Sequence, residues 1–186
     1  MPLEISDLSL GDVQVNSKGA KQVPLHQGHN NLTWQPGPLR VKFQPAAFND
    51  PSATPRVSIC FDVNEEVESY LKVLEDWVIK TVAASSRKYL SQDMTVAQVQ
   101  ERYSPAIKVN PKGYSHLRAK MNTSGRSTVT CWDENRMKRE PPDDWTRVEV
   151  HPSFEIKGLW MMGKDFGLLI ELTNAKITES PAICPF

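Results

Sequence analysis

The feature that most constrains the fold is a set of short runs in which apolar and polar residues alternate. Alternation with a period of two puts successive side chains on opposite faces of a strand, so it predicts half-buried β-strands. The best-defined run lies within the stretch from Tyr103 to Trp132, where Leu117, Ala119 and Met121 would face a core. The opposite face of that strand would carry Tyr114, His116, Arg118 and Lys120.

The same stretch is predicted to form a hairpin. Ser124-Gly125 is typical of a turn, and Ser127 to Trp132, rich in β-branched residues, is expected to return as the second strand. Between Arg102 and Arg139 there are nine Lys or Arg and two acidic residues, a formal charge of +7, whereas the whole chain has a formal charge of zero. The positive charge is therefore segregated into one part of the sequence.

Two further alternating runs precede it. Leu39, Val41 and Phe43 are expected to face inward, and residues 57–63 (VSICFDV) form a similar run after the proline-containing loop FNDPSATP. Together they predict an antiparallel pair. The outward Arg40 and Lys42 leave two interpretations open: they belong to an ordinary solvated strand face, or they extend the basic surface of Arg118 and Lys120.

From Asn64 the apolar period changes to that of a helix. Asn64 is a suitable N-cap, and the helix is expected to run to about Tyr89, with Trp77 in its apolar stripe. Thr95-x-x-Gln98 has the form of a capping box and predicts a second, short helix that ends near Pro105. We therefore expect a helical insertion at about residues 64–103.

The remainder of the chain returns to strands. Residues 133–145 are charged and aperiodic and are expected to form an exposed loop, whose Arg136, Lys138 and Arg139 would either reach a polyanion or pair with Asp143 and Asp144. Strands are predicted at 146–150, at 154–162 and from 166 onward, the last two as a hairpin around Gly163-Lys164-Asp165. Residues 179–186 are predicted to be a flexible tail.

This order predicts a mainly β (α+β) fold. Seven to nine short strands with one long and one short helix in mid-chain fit an antiparallel barrel or sandwich with a helical insertion. At 186 residues the chain is expected to form a single domain over residues 1–178.

Several classes of function lack their usual signals. The sequence has no GxxxxGK[ST] loop, no GxGxxG, no GxSxG elbow and no CxxC spacing. Cys60, Cys131 and Cys184 are therefore read as thiols, and the pair His26 and His29 lacks the accompanying ligands of a metal site. No apolar run is long enough for a transmembrane helix, and the N-terminus lacks the pattern of a signal peptide. We expect no enzymatic activity, no cofactor and no metal.

The positive features fit single-stranded nucleic acid. Such ligands are held by a cationic groove along the phosphates and by aromatic faces on which bases stack. A strand that carries Tyr114, His116, Arg118 and Lys120 offers both, as a small OB-like barrel would present them. The alternative is that these are ordinary polar residues on the solvent-exposed face of a sheet, without a binding role. The full set of expected binding residues is Tyr114, His116, Arg118, Lys120, Arg126, Trp132, Arg40 and Lys42.

The order of several sequence blocks resembles a known group of proteins. The blocks are GAKQVPL, LTWQPGPLRVKF, VSICFDV, LEDWVIKTVAASS, QERYSPAIK, YSHLRAKM and IKGLWMMGKDFGLLIEL followed by TNAKI, which span about residues 19–177. They resemble the predicted single-stranded DNA-binding proteins of large eukaryotic DNA viruses, which are distantly similar to the phage OB-fold single-stranded DNA-binding proteins. No single block is a specific motif, so the resemblance depends on their order.

The resemblance implies an OB-like barrel with a helical insertion that binds single strands without sequence preference and without catalysis. It also implies an intracellular location, in the nucleus or at a viral replication site. Many proteins of this kind end in an acidic tail with a terminal aromatic residue. This chain ends in Phe186 but has only Glu179 nearby, which places tail-mediated recruitment of partners in doubt.

Two hypotheses follow. The first is a non-catalytic OB-like protein that coats single-stranded DNA during replication, recombination or repair. The second is a structural β-module that self-assembles or holds a protein partner through edge strands and the apolar run LWMM at residues 159–162. The sequence does not distinguish DNA from RNA, does not define the oligomeric state, which includes a homo-oligomer, and does not separate a viral from a cellular origin.

Overall fold

The computed structural model describes residues 3–17, 19–46 and 56–179. Along the chain, strands come both before and after a helical segment, which confirms the mainly β class with helices inserted in mid-chain. The whole proline-containing stretch at residues 48–55 and the tail after Glu179 lie outside the described residues. The strands are β1 (Leu8–Leu10), β2 (Gln14–Val15), β3 (Lys21–Gln27), β4 (Asn30–Trp34), β5 (Leu39–Ala46), β6 (Arg56–Asp62), β7 (Ile107–Val109), β8 (Ser115–Asn122), β9 (Thr130–Trp132), β10 (Lys138–Arg139), β11 (Val148–Met162) and β12 (Asp165–Glu179); the helices are α1 (Glu65–Ala84), α2 (Ser86–Leu90) and α3 (Val96–Arg102), and a 3-10 turn covers Trp145–Arg147.

The described residues fall into two compact units. The first, which we call the helical unit, is formed by residues up to Leu32, by Asn64–Ala106 and by Ile156–Ile170. The second, which we call the sheet unit, is formed by Thr33–Val63, Ile107–Glu155 and the residues from Glu171 onward. The assignment of residues 1–178 to a single domain stays a prediction.

The two predicted helices of the helical unit, α1 and α3, begin where the sequence predicts. The Asn64 side chain accepts a hydrogen bond from the backbone N–H of Val67 at 3.0 Å, and Thr95 and Gln98 form the predicted capping box. The first helix ends earlier than predicted, because Ser85 leaves the helical conformation with φ −132° and α2 begins at Ser86. Serine side chains favour such boundaries, since they compete for backbone hydrogen bonds. Within the described chain, no helix is both long and apolar enough to cross a membrane.

The core of the helical unit follows the predicted stripe on α1. Its fully buried members recur every three or four residues, whereas Trp77 is only half-buried. The apolar run at residues 159–162 also contains both buried and exposed side chains: Leu159 is buried, whereas Met162 is 74% exposed. The buried side chains of α1 are Val67, Leu71, Leu74, Val78 and Val82.

The sheet unit is OB-like. β5 pairs antiparallel with β6 and with β11, and β6 pairs antiparallel with β8. β8 is joined to β12, and β12 pairs with β11. The junctions β5–β11 and β8–β12 are each two residue pairs long, as in the partly open five-stranded barrels of this class.

The predicted purely antiparallel arrangement is wrong in one respect. β12 runs parallel to both β8 and β9, with Glu171 opposite Lys120 and Ala175 opposite Cys131. The sheet is therefore mixed. β12 also lies between β8 and β9, so the predicted hairpin from β8 back to Trp132 does not form. Local turn residues such as Gly125 end a strand without determining which strand lies beside it.

The inward position predicted for Phe43 is also wrong. Leu39 and Val41 are buried as expected, but the side chain of Phe43 is 51% exposed. The register between β5 and β6 shifts between Val41 and Phe43, because β5 contains an extra residue there. Such a bulge reverses the alternation of the side chains that follow it.

The charged stretch 133–145 contains more structure than predicted. It includes β10, which pairs with β9, and it ends at the 3-10 turn. The alternative in which its cations pair with Asp143 and Asp144 does not hold for Arg139, which pairs with Glu179 at 3.5 Å, whereas Asp144 pairs with Arg147 at 3.1 Å. Contact of these cations with a polyanion stays a prediction. The strand that follows is continuous from Val148 to Met162, and its hairpin with β12 is confirmed.

Candidate nucleic-acid interface

One face of the sheet unit gathers basic and aromatic side chains from four strands. β8 alternates as predicted, with Leu117, Ala119 and Met121 buried. Residues opposite each other in antiparallel strands point to the same side of a sheet. The partners of β8 on β6 and β7 therefore join its outward residues. We call the resulting set the basic face: Lys42, Phe43, Arg56, Ser58, Lys108, Tyr114, His116, Arg118 and Lys120.

At the centre of the basic face, two cations contact one hydroxyl group. The Ser58 oxygen accepts hydrogen bonds from Arg118 Nε at 3.2 Å, from Arg118 Nη2 at 3.1 Å and from Lys120 Nζ at 3.0 Å. Burial lowers the pKa of the half-buried Lys120, and the charges of Arg118 and Arg56 lower it further. The centre is thus a concentrated positive charge that is partly removed from water.

A buried carboxylate holds the next cation along the face. Glu171 is 5% exposed and accepts hydrogen bonds from Arg56 at 3.0 Å and from Asn122 at 2.9 Å. A buried charge is tolerated when it is paired and hydrogen-bonded in this way. Glu171 is also the cross-strand partner of Lys120, but the hydrogen bonds given above join it to Arg56 and Asn122. It therefore balances Arg56 and leaves the centre of the face positive.

An aromatic cluster lies beside this centre. Lys42 Nζ is 5.0 Å from the ring centroid of Tyr114 and 3.2 Å from Asp62, and it donates to the Ser115 carbonyl at 3.5 Å. The Phe43 ring meets His116 edge-on with the centroids 6.5 Å apart. Because Phe43 and Tyr114 are 51% and 58% exposed, both rings are open to a stacking partner.

The environment of His116 disfavours its charged form. Its Nδ1 is buried and has no hydrogen-bond partner in the described part of the chain. Burial lowers the pKa of His116, and the charges of Lys42, Arg118 and Lys108 contribute in the same direction. Asp62 lies opposite His116 in the sheet, but it pairs with Lys42. At neutral pH His116 is therefore a neutral ring on a cationic face.

This pKa shift predicts a pH-dependent stability. As pH falls through the ordinary histidine value of about 6.5, the unfolded chain binds the proton before the folded chain does, so the free energy of unfolding decreases. His116→Asn removes this contribution, and we expect a smaller decrease between pH 7.5 and pH 5.5 in the variant. Urea unfolding of both proteins at the two pH values measures it. An equal decrease in both would contradict the assignment.

The other predicted residues lie away from this centre. Trp132 is half-buried on β9, its Nε1 donates to Asn174 at 3.1 Å, and Lys138 lies 5.8 Å from its ring. It lies two strands from β8, beyond β12, so its expected place at the rim of the basic face stays a prediction. Arg126 is exposed in the loop after β8. Arg40 is exposed on β5, which is separated from β8 by β6.

Sequence reasoning missed four members of the basic face. Ser58 lies in a run whose alternation was correctly predicted, so its outward position was available from the pattern. Lys108 belongs to a three-residue strand, which is too short for a periodicity to be noticed. The outward position of Phe43 depends on a bulge that has no signal in the sequence, and Arg56 is the first residue of β6, outside the run in which alternation was predicted. In the described chain, no group of three or more His, Cys, Asp or Glu side chains is arranged to hold a metal ion.

Comparison with known proteins gives a structural match alone. No protein-family model and no curated protein sequence matches the chain. Among solved structures it is similar to gp2.5, a single-stranded DNA-binding protein encoded by bacteriophage T7, with a TM-score of 0.53 at 9% identity over 84% of this chain and 91% of that chain. The two chains share a fold. A single-stranded DNA-binding protein from bacteriophage Enc34, in complex with ssDNA, gives a TM-score of 0.49 at 13% identity over 91% of this chain and 96% of that chain.

The likeness to gp2.5 confirms a similarity in fold to a phage single-stranded DNA-binding protein. An identity of 9% carries no residue correspondence. What the basic face of this chain binds is therefore argued from its own side chains.

Proposed function

We propose that this protein is a non-catalytic, sequence-independent single-stranded DNA-binding protein, and that the basic face is its binding surface. The observation that carries the proposal is the convergence of five cationic side chains and two exposed aromatic rings on one face of one unit. Two carboxylates, Asp62 and Glu171, pair with two of these cations, so the face keeps a positive balance. Cations beside stacking platforms are the two components that single strands require.

The chemistry of the face accounts for the absence of sequence preference. Arg118, Lys120 and Lys108 would neutralise phosphates, which are identical along the strand. Phe43 and Tyr114 would stack on bases, and every base has a π-face. RNA carries the same phosphates, and its bases also have π-faces, so these contacts favour single strands over duplexes more than DNA over RNA.

We further propose a biological setting for this activity. The ordered sequence blocks described above favour membership among the single-stranded DNA-binding proteins of large eukaryotic DNA viruses, and the fold shared with gp2.5 supports a distant relation to the phage proteins. A protein of this kind would act inside the cell, where replication, recombination or repair exposes single strands.

The proposal is tested by fluorescence anisotropy of a labelled single strand of ~30 nucleotides across a range of salt concentrations. Binding by the parent protein should weaken steeply with salt, because counterions released on binding must be recaptured. Arg118→Ala/Lys120→Ala should bind about tenfold or more weakly, and its salt slope should be shallower by at least about 0.7, the contribution of one single-strand phosphate.

A matched control removes two cations elsewhere. Lys72 on α1 and Lys164 in the β11–β12 turn are exposed residues of the helical unit, and Lys72→Ala/Lys164→Ala causes the same loss of net charge. We expect the control to keep the slope of the parent. Absence of binding by the folded parent would reject the proposed function, and equal losses in the two double variants would reject the basic face as its location.

A further inference from the structure

Ser58 is the point of the basic face at which two like charges are held together. Its oxygen accepts from Arg118 Nε and Nη2 at 3.2 and 3.1 Å and from Lys120 Nζ at 3.0 Å. Ser58 lies directly opposite Lys120 in the antiparallel pair of β6 and β8, and Arg118 is two residues away on the same face. Strand pairing therefore fixes the hydroxyl between the two cations.

Arg118 and Lys120 together have more N–H donors than the Ser58 oxygen can accept. A hydroxyl oxygen has two lone pairs, whereas three N–H groups are directed at it, and an ammonium group alone has three donors. In the part of the chain that the structure describes, no ion pair joins Lys120 to a carboxylate. Lys120 therefore retains N–H groups that an additional acceptor can use.

The fitting acceptor is an anion with several oxygens. Glu171, the carboxylate opposite Lys120 in the sheet, already accepts hydrogen bonds from Arg56 and Asn122. Burial and the charges of Arg118 and Arg56 lower the pKa of Lys120, so a negative group at this place would relieve a repulsion that the folded chain carries. Charge-assisted hydrogen bonds are also stronger where water is partly excluded.

We infer that Ser58, Arg118 and Lys120 form a subsite for one phosphodiester group, with Ser58 as its positioning residue. This inference rests on the proposed function and specifies how one phosphate of the strand is held. Arg118 and Lys120 donate to its two non-bridging oxygens. The Ser58 oxygen serves as acceptor for both cations, so its own O–H can donate to the same phosphate. The two cations then act as a unit on one group.

The inference is tested with Ser58→Ala and Ser58→Thr, each made in the parent and in Arg118→Ala/Lys120→Ala. We expect Ser58→Ala to weaken binding of the ~30-nucleotide strand about tenfold, the effect of one lost charge-assisted hydrogen bond. Ser58→Thr keeps the hydroxyl and should bind within about twofold of the parent. In the double-variant background Ser58→Ala should change affinity less than about twofold, because the hydroxyl then has no cations to position.

A second measurement needs no change at Ser58. If both cations share one phosphate, Arg118→Ala/Lys120→Ala should lower the salt slope by about 0.7, whereas two separate phosphates would lower it by about 1.4.

The matched control for Ser58→Ala is Ser9→Ala, at an exposed serine of β1, which should bind as the parent does.

The outcomes separate this inference from the proposed function. Parent-like binding by Ser58→Ala, an equal loss in both backgrounds, or a slope change of about 1.4 would overturn the subsite while the parent still binds single strands. Absence of binding by the parent would overturn the proposed function and the subsite with it.

Discussion

Replacing Phe43 and Tyr114 together by alanine is expected to weaken single-strand binding about 30-fold or more. Each base stacked on an aromatic ring contributes about 1–3 kcal/mol, so the loss of two stacks corresponds to at least about 2 kcal/mol. The two rings are 51% and 58% exposed, and neither is needed to fill the core. The variant should therefore fold as the parent does and lose affinity alone.

The salt dependence distinguishes this effect from the loss of cations. Stacking releases no counterions, so Phe43→Ala/Tyr114→Ala should keep the salt slope of the parent at a lower affinity. Tyr114→Phe retains the ring and should bind within about twofold of the parent. Anisotropy with the same ~30-nucleotide strand gives both quantities.

Exposed apolar side chains outside the basic face provide the control. Val109 and Met137 also belong to the sheet unit and are 67% and 65% exposed. Val109→Ala/Met137→Ala should bind as the parent does, since neither side chain offers a π-face. If this control loses as much affinity as the aromatic pair, general hydrophobic contact replaces stacking as the explanation.

The features that the sequence predicted correctly are those that depend on a local pattern of residues. The alternation of Leu117, Ala119 and Met121 gave β8 its buried face, and the cap at Asn64 located the start of α1. Both signals arise from a few neighbouring residues and do not require knowledge of the rest of the chain. The outward set on β8 was correctly grouped for the same reason.

What the sequence did not predict depends on partners far along the chain. The placement of β12 between β8 and β9 brings together residues about 40 to 50 positions apart, and no turn signal near Gly125 encodes it. The bulge that exposes Phe43 exists only in the pairing of β5 with β6. A site formed by side chains from several strands is therefore predicted only in part when each strand is read alone.

The largest expected effect on stability is that of Gly158→Ala. Gly158 lies on β11 with φ +143°, opposite Pro24 of β3 in the helical unit. A Cβ built at this position would overlap the Val23 carbonyl oxygen and lie 2.9 Å from Pro24 Cα. Both contacts are with backbone atoms, which cannot move aside as the end of a flexible side chain can.

Two costs therefore add at Gly158. An alanine in this region of φ costs about 1–3 kcal/mol, and forcing an extra methyl group into a packed interface costs about 1–3 kcal/mol more. We expect Gly158→Ala to lower the free energy of unfolding by about 4 kcal/mol, a large part of the 5–15 kcal/mol that is usual for a folded domain. Urea unfolding followed by circular dichroism measures the difference.

Gly163, in the turn between β11 and β12, separates the two costs. It also has a positive φ, +61°, but a Cβ there would have no heavy atom within 4 Å. Gly163→Ala should therefore carry only the conformational cost, about 1–2 kcal/mol. A Gly158→Ala variant no less stable than Gly163→Ala would show that β3 and β11 separate at little cost. Because β3 pairs with β11 through four consecutive residues, from Gly158 to Met161, we expect the close approach to be fixed and Gly158→Ala to be the less stable variant.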